Sequence, residues 1–210
     1  ETYGRFTPYY ITQIYFLQHN YEELLRVAPG LLDSASSKRV PEIARMIGAS
    51  CFRTQRFSTA IPYLHMYIDK APESPTRDDY YELAYCYYRN SDPDNAVRWF
   101  GRVNTSPEDS LSQLTLYQSA DCRMQTGDYL QAINFFHMAY LLKADPQISE
   151  NALFNYAKLA YEKGYNPYNE AIKSFQLYIN EFPASPHIDE AYEYLSGMYL
   201  STRNYREALT

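Results

Sequence analysis

The chain has 210 residues, more than a usual single domain, yet no stretch rich in Pro, Gly or Ser and no charge run divides it. Hydrophobic residues make up 46% and aromatic residues 17%, which supports a packed core and argues against disorder. The formal net charge of -6 argues against a nucleic-acid partner, because binding to phosphates rests on clustered Lys and Arg. No apolar run approaches the roughly 20 residues of a membrane span, so we expect no direct membrane insertion in this segment.

Three sets of residues recur about every 36 positions, which indicates an internal repeat. The first set consists of compact residues in the middle of each predicted first helix: Thr12, Gly48, Ala84, Ala120, Ala157 and Ser196. The second set opens each predicted second helix: Leu24, Ala60, Ala96, Ala132, Ala171 and Ala208. The third set follows about one turn later and is large in most copies: Ala28, Leu64, Phe100, Phe136 and Phe175.

These sets predict five two-helix units and a truncated sixth within a single array over residues 1–210. The units cover roughly residues 7–38, 41–73, 77–107, 111–146, 149–184 and 187–210. The sequence begins without Met and ends a few residues into a helical pattern, so we expect a fragment of a longer protein whose missing part continues the array.

The turns inside the units are predicted, in chain order, at His19–Asn20, Gln55–Arg56, around Pro93, and at Thr126–Asp128. Pro29 falls inside the second helix of the first unit, where it removes a backbone donor and predicts a kink or an early stop. The second unit begins at Pro41, a favourable first helical residue, and ends at Pro72.

The fifth unit is longer than the others, and the sixth is incomplete. The segment YNPYN at residues 165–169 predicts a turn two residues longer than its counterparts, which costs little because loop-closure entropy grows slowly with length. The first helix of the sixth unit is predicted from Ile188 to Ser201.

The alternation of small and large residues explains how the two helices of a unit pack. Two antiparallel helices approach closely where one contributes a small side chain opposite a large one. Gly48, Ala84 and Ala120 provide the gaps, and Leu64, Phe100 and Phe136 provide the bulk. The sequence therefore predicts an all-α fold that is stabilised by contacts between neighbouring units.

With small residues at the helix crossing, aromatic anchors and Pro at the exit, the whole chain resembles the tetratricopeptide repeat (TPR) family. The resemblance implies an all-α, right-handed superhelical solenoid of antiparallel helix pairs, about 5.5 units of 36–39 residues, that acts as a protein-interaction scaffold. Ala44 and Arg123 depart from the family pattern at places where larger residues are usual. These departures affect local packing more than the assignment.

Two segments refine the resemblance. Residues 153–186, LFNYAKLAYEKGYNPYNEAIKSFQLYINEFPASP, look like the long repeat proteins of Bacteroidetes bacteria. Residues 175–195, FQLYINEFPASPHIDEAYEYL, are similar to repeats in outer-membrane-assembly lipoproteins and periplasmic cell-division coordinators. These relatives imply an exported protein that is periplasmic or associated with the outer membrane.

No residue pattern predicts an enzyme, a metal site or a cofactor. His65 and His137 occupy the same place two repeats apart, too distant to share a metal, and there is no phosphate loop, GxSxG elbow or HExxH motif. The acidic pairs Glu22–Glu23, Asp78–Asp79 and Asp189–Glu190 fall at predicted helix starts, where carboxylates suit the helix dipole.

The three cysteines are an odd number without a CxxC pair, and we predict buried free thiols at Cys51, Cys86 and Cys122. A disulfide between Cys86 and Cys122, one repeat apart, is the alternative.

The candidate binding site is the face of the first helices that does not point into the predicted core. In the architecture that the resemblance implies, this face lines the concave surface. Its candidate partner-binding residues are Tyr9, Phe16, Arg45, Phe52, Arg53, Tyr81, Tyr85, Tyr88, Arg89, Tyr117, Phe154, Lys158 and Tyr161.

Three interpretations of this face stay open. Aromatic rings flanked by guanidinium groups are favoured at binding hot spots, so the face could bind an extended peptide or a partner helix. The tyrosines could instead fill grooves between repeats. A third possibility is a glycan-binding module of the cell envelope, with Tyr faces stacking on sugar rings. The basic residues do not repeat in the Lys/Asn arrangement by which some TPR proteins bind a C-terminal carboxylate, so that specificity is not predicted.

Overall fold

The structure, a computed structural model, describes residues 7–70, 74–164 and 167–203. Over these residues the chain forms eleven α-helices, one 3₁₀ turn and no strand, which confirms the predicted all-α fold. The helices are α1 (Thr7–Leu17), α2 (Tyr21–Leu31), α3 (Val40–Arg53), α4 (Phe57–Lys70), α5 (Arg77–Arg89), α6 (Pro93–Phe100), α7 (Ser110–Gln125), α8 (Tyr129–Leu142), α9 (Pro146–Lys163), α10 (Pro167–Glu181) and α11 (Ile188–Ser201), and the 3₁₀ turn is Leu32–Ser34.

The helices fall into two compact units, which we call unit 1 (residues 1–103) and unit 2 (residues 104–210). Unit 1 contains α1 to α6, and unit 2 contains α7 to α11. Within each unit every helix packs against the next one along the chain, and α3 also packs against both α1 and α5, as α9 does against α7. Such neighbour-by-neighbour packing is typical of helical repeats. The single array over residues 1–210 stays a prediction.

Three-residue turns join the two helices of each of the first four pairs, at the positions that the sequence predicts. The middle residue of each turn has a left-handed backbone, with φ of 55° at His19, 60° at Gln55, 57° at Ser91 and 79° at Gly127. Glycine adopts this conformation without steric cost, yet it occupies only the fourth turn. The left-handed position therefore repeats every 36 residues although its residue type does not.

The residue after the left-handed position caps the next helix in three of these four turns. The side chains of Asn20, Asp92 and Asp128 each accept a hydrogen bond from the backbone N–H three residues further on. Each bond satisfies one of the N–H groups that a helix start leaves without a partner. This cap fixes where the second helix begins.

The three repeating registers of the sequence lie at the helix crossings. Every member of the second and third registers that the structure describes is buried, and so are the members of the first register from Thr12 to Ala157. At Gly48 an added Cβ would lie 2.7 Å from Cδ2 and 3.2 Å from the backbone N of Leu64. The predicted packing of a small against a large residue is therefore confirmed for Gly48 and Leu64, and the corresponding residues of the other pairs are buried as expected. Ser196 is half-buried, and Ala208 lies outside the described residues.

The second helix of the first pair stops early, as Pro29 predicts. α2 ends at Leu31, two residues after this proline, and the chain then tightens into the 3₁₀ turn Leu32–Ser34.

The prediction of a longer turn in the fifth pair is wrong. α9 ends at Lys163 and α10 begins at Pro167, the same separation as in the earlier pairs, and residues 165 and 166 lie outside the described residues. α9 runs six residues past Ala157, whereas α7 runs five past Ala120, and α10 has one residue more before Ala171 than α8 has before Ala132. The two extra residues therefore lengthen the helices on either side of the turn. The predicted bounds of α11 are confirmed.

A buried amide that the sequence did not single out links three helices of unit 2. Gln113 on α7 is fully buried, and its Nε2 donates to the carbonyl oxygen of Ala139 at 2.9 Å and to Oγ of Ser149 at 2.8 Å. Its Oε1 accepts from the backbone N of Asp145 at 2.6 Å. These bonds satisfy both donors of the amide and join α7, α8 and α9 within the core.

All three cysteines are free and buried, which confirms the preferred prediction over the disulfide. Burial raises the pKa of Cys51 to about 11, and it raises the pKa of both Cys86 and Cys122 to about 12. These thiols are therefore uncharged core side chains at neutral pH.

Candidate functional site

The predicted binding residues differ in exposure between the two units. Unit 1 contains nine of them, and all nine are half-buried or exposed: Tyr9, Phe16, Arg45, Phe52, Arg53, Tyr81, Tyr85, Tyr88 and Arg89. Unit 2 contains the other four, of which Tyr117, Lys158 and Tyr161 are half-buried and Phe154 is buried. Solvent therefore reaches most of the predicted face in unit 1.

A network of aromatic rings surrounds Tyr85 on α5. Its ring meets the rings of Phe52 and Phe57 edge to face, with centroids 5.6 Å apart in each case. Tyr81 and Tyr88 lie on the same stripe of α5, each with its centroid 5.9 Å from that of Tyr85. Aromatic pairs contribute about 0.5–1.5 kcal/mol beyond the area they bury, so Tyr85 is the structural centre of the network.

Two arginines lie over the rings of this network and its neighbours. The guanidinium of Arg89 lies 4.8 Å from the ring centroid of Phe57 and donates to the hydroxyl of Tyr85 at 3.1 Å. The guanidinium of Arg53 lies 5.7 Å from the ring centroid of Phe16 and 5.9 Å from that of Tyr21. We call these residues together the unit-1 aromatic surface: Phe16, Tyr21, Phe52, Arg53, Phe57, Tyr81, Tyr85, Tyr88 and Arg89.

Acidic groups on α5 hold Arg53 and Arg45 in place. Arg53 pairs with Glu82 at 3.2 Å, and burial raises the pKa of that carboxyl group. Arg45 donates to Asp79 at 2.6 Å, and the Asp79 side chain is 3% exposed. Each pair joins α3 to α5, so the charges that line this face also fix the spacing of neighbouring first helices.

A pocket of about 330 Å³ adjoins the surface in unit 1. It is lined by Tyr9, Gln13, Phe16, Leu17, Glu42, Arg45, Met46 and Tyr67. Three of the predicted binding residues are therefore brought together at one concave site. The guanidinium of Arg45 lies 5.3 Å from the ring centroid of Tyr67, and that of Arg39 lies 4.3 Å from the ring centroid of Tyr9.

Two of the four predicted residues in unit 2 serve mainly in packing. Phe154 belongs to the core: its ring packs against Phe175 and Tyr178 and stacks under His187 at 4.7 Å. The prediction that Phe154 lies on an accessible face is therefore wrong. Tyr117 meets Phe136 edge to face at 5.4 Å, and burial raises the pKa of its hydroxyl.

The other two, Lys158 and Tyr161, lie beside a second pocket, which we call the unit-2 pocket. It measures about 310 Å³ and is lined by Tyr161 from α9 and by Glu190, Glu193, Tyr194 and Gly197 from α11. The ammonium of Lys158 donates to Oε1 of Glu190 at 3.0 Å.

The sequence reasoning missed Tyr21 and Phe57 of the unit-1 aromatic surface. Both are the first residue of a second helix, and both contact first-helix residues across the turn. The signal was present, because the positions 21, 57, 93 and 129 are spaced by 36 residues and three of them are aromatic: Tyr21, Phe57 and Tyr129. Glu193 was also missed, although it stands three residues before Ser196, just as the candidate Tyr81 stands three before Ala84.

The histidines of the second helices pack against tyrosines. Nε2 of His65 is 2.8 Å from the hydroxyl of Tyr87, and the ring of His137 stacks on Tyr156 at 4.7 Å. Across residues 7–70, 74–164 and 167–203, no group of three or more His, Cys, Asp or Glu is placed to hold a metal ion. None of the helices described for these residues has both the length and the apolar character needed to cross a membrane.

Comparisons with known proteins agree with this architecture. Residues 151–185 match the family model described as tetratricopeptide repeat. MamA AMB-1 matches with a TM-score of 0.62 and 18% identity, covering 80% of this chain and 86% of that one. A tetratricopeptide repeat protein from Parabacteroides merdae matches with a TM-score of 0.60 and 17% identity, covering 96% of this chain and 76% of that one.

A protein with nearly identical TPR-like repeats from Podosopora anserina matches with a TM-score of 0.55 and 14% identity, covering 83% of this chain and 92% of that one. No curated protein sequence matches the chain. At these identities the likeness establishes the fold.

Proposed function

We propose that this chain, which has the tetratricopeptide-repeat fold, is a non-enzymatic scaffold that binds a peptide or partner protein on the unit-1 aromatic surface. The observation that carries the proposal is that seven aromatic rings and two guanidinium groups form two contact networks that meet at the neighbouring residues Phe52 and Arg53 of α3, and none of their members is buried. Tyr and Arg are the residues most enriched at binding hot spots.

The arginines of this surface can contribute both stacking and hydrogen bonds. A guanidinium has five N–H donors in a planar fork. Among the described residues, Arg89 makes one side-chain hydrogen bond, to Tyr85. The same group lies over Phe57, so a ligand that covers the ring edge would also meet unused N–H donors. A peptide backbone offers carbonyl oxygens to such donors and apolar side chains to the rings.

The packing of the rings favours a peptide over a glycan. Phe52, Phe57 and Tyr85 meet one another edge to face, and Arg89 lies over Phe57. These contacts occupy ring faces that a sugar ring would need for stacking. Titration with oligosaccharides tests this point, and a shift confined to the unit-1 tyrosines would favour the glycan instead.

The experiment that tests the proposal compares two tyrosines of unit 1. Peptides are selected from a random display library on the immobilised chain, and their Kd values are measured by fluorescence anisotropy. Tyr88→Ala removes a half-buried ring from the edge of the surface, whereas Tyr63→Ala removes a half-buried ring from α4 that has no described ring contact with it.

We expect Tyr88→Ala to raise Kd by about 30-fold, the loss typical of a hot-spot residue, and Tyr63→Ala to change it less than about twofold. Circular dichroism should show the same helicity for both variants. Equal affinity of the selected peptides for the chain and for Tyr88→Ala would refute the proposed surface. A loss of helicity in Tyr88→Ala would instead support the interpretation that the tyrosines fill grooves between repeats.

A further inference from the structure

The residues that α11 contributes to the unit-2 pocket form one stripe. Glu190, Glu193, Tyr194 and Gly197 stand at i, i+3, i+4 and i+7, which places them on a single helix face. Tyr161 of α9 closes the other side, with its ring edge to face against Tyr194 at 5.7 Å. Two aromatic rings and two carboxylates therefore converge on one cavity.

Contacts with the core and with Glu162 fix the position of the Tyr194 ring. Tyr194 stacks on Phe175 with centroids 5.1 Å apart and planes 14° apart, and Phe175 is fully buried. The hydroxyl of Tyr194 donates to Oε1 of Glu162 at 3.4 Å. A fixed ring with carboxylates around it is the arrangement that attracts a cation to an aromatic face.

An internal ammonium already makes such contacts beside the pocket. Nζ of Lys158 lies 5.7 Å from the ring centroid of Tyr194 and donates to Oε1 of Glu190 at 3.0 Å. Nδ1 of His187 lies 3.7 Å from the other oxygen of Glu190. Glu190 is thus engaged, whereas the Glu193 carboxylate has no hydrogen-bond or ion-pair partner among the described residues. The Glu193 end of the pocket is where a further positive charge would be neutralised.

The net charge of unit 2 also favours a positively charged ligand. Residues 104–210 contain 13 acidic and 7 basic residues, whereas residues 1–103 contain 12 of each. Unit 2 therefore carries all of the formal net charge of -6. Such an excess draws positively charged ligands toward the unit before any close contact forms.

We propose that the unit-2 pocket binds a cationic side chain, Arg or Lys, presented by a peptide partner. This inference rests on the proposed scaffold function and assigns the chemistry of one of its sites. A volume of about 310 Å³ equals roughly ten waters of the liquid at about 30 Å³ each, which accommodates one such side chain. The cation packs in the pocket against the exposed edges of the paired Tyr161 and Tyr194 rings, and its charge is neutralised by Glu193.

The test uses a defined probe and does not need the natural partner. The tripeptide acetyl-Gly-Arg-Gly-amide is titrated into the ¹⁵N-labelled chain, with the citrulline tripeptide as a neutral isostere. The amide signal of Gly197 reports the pocket directly, and the chain has only seven glycines, which eases its assignment. The titration is run near 0.15 M salt, where the Debye length of about 8 Å suppresses distant charge effects.

Glu193→Gln and Asp189→Asn form a matched pair, because each removes one negative charge from α11 and only Glu193 lines the pocket. We expect the Arg tripeptide to shift the Gly197 signal and the citrulline tripeptide to leave it unchanged. Glu193→Gln should raise Kd about three- to fivefold, the upper range for an exposed ion pair, and Asp189→Asn should change it less than about twofold. Gly197→Leu should abolish binding by filling the pocket, since a Cβ there meets no atom within 4 Å.

The inference is overturned if Gly197 does not shift, if citrulline binds equally, or if the two charge variants weaken binding to the same degree. These outcomes are independent of the peptide selection on unit 1, where Tyr88→Ala is the decisive variant. If the Arg tripeptide does not bind but peptides are selected on unit 1, only the pocket inference fails. If the Arg tripeptide binds but no peptide is selected on unit 1, only the proposed unit-1 surface fails.

Discussion

The crossing of α3 and α4 at Gly48 provides a direct test of the repeat packing. An added Cβ at Gly48 would lie 2.7 Å from Cδ2 and 2.8 Å from Cγ of Leu64, about 1 Å inside the usual 3.5–4.0 Å separation of carbon atoms. Leu64 is fully buried, and its backbone N would be only 3.2 Å away, so a rotamer change alone does not relieve the contact. Gly48→Ala therefore forces α3 and α4 apart.

Two opposing effects determine how much Gly48→Ala changes the free energy of unfolding. Ala is a better helix former than Gly by about 0.8–1.0 kcal/mol, which favours the variant. Overpacking a core typically costs about 1–3 kcal/mol, which opposes it. We expect Gly48→Ala to lower the free energy of unfolding, and Gly30→Ala to raise it, because a Cβ at Gly30 on α2 meets nothing within 4 Å. The two variants should differ by about 1–3 kcal/mol.

The assay is urea unfolding followed by the fluorescence of Trp99, the only tryptophan. Trp99 is buried, and it lies in unit 1, as do Gly30 and Gly48. Using one probe within one unit avoids the assumption that the whole chain unfolds in a single step. Circular dichroism at 222 nm gives the helicity of each variant before unfolding.

A second background isolates the contact with Leu64. Leu64→Ala alone should cost about 2–5 kcal/mol because it leaves a cavity at the crossing. In that background Gly48→Ala no longer meets the leucine side chain, so we expect it to become stabilising. A Gly48→Ala variant that is as stable as Gly30→Ala, or one whose effect is unchanged by Leu64→Ala, would refute the proposed packing of small against large residues.

Three further predictions follow from buried groups. At pH 8 iodoacetamide should label no cysteine of the folded chain and all three in urea, as counted by mass spectrometry, because burial keeps their pKa at about 11 to 12; labelling of the folded chain would contradict the described burial. Because the pKa of Glu82 is raised in the folded chain, its contribution to the free energy of unfolding is fully present below the ordinary Glu pKa and is lost as pH rises through the folded pKa. Glu82→Gln should therefore make the free energy of unfolding, measured in urea from pH 4 to 8, fall less steeply with pH. An unchanged pH dependence would be inconsistent with the raised pKa. Gln113→Leu should lower the free energy of unfolding by at least about 2 kcal/mol in urea, because its buried partners lose their hydrogen bonds, and a neutral effect would show that these bonds contribute no net stability.

The sequence was sufficient for the helix pairs because their packing depends on local residue size. Gly48 against Leu64 is one crossing, and the same register places Ala84, Ala120 and Ala157 in the core. The turns were also predictable, although the left-handed conformation at Gln55 was not, since only the position and not the residue type repeats.

The binding face could be predicted only in part, because exposure depends on residues from the following repeat. Tyr81 and Phe154 each stand three residues before a crossing residue, yet Tyr81 is half-buried whereas Phe154 is buried. The difference arises because His187, just before α11, stacks on Phe154. The partner and the exported location stay predictions.

The two proposed sites should respond differently to salt, since they rest on different forces. At the unit-1 aromatic surface Glu82 pairs with Arg53, and unit 1 has equal numbers of acidic and basic residues, so burial of apolar rings dominates there. At the unit-2 pocket, binding depends on the Glu193 carboxylate within a unit of excess negative charge. Raising the salt concentration from 0.05 to 0.5 M shortens the range of charge interactions and leaves apolar burial largely intact. The Arg tripeptide should therefore lose affinity across this range while peptides selected on unit 1 keep theirs, and the salt dependence of a natural partner would show which of the two sites provides most of its binding free energy.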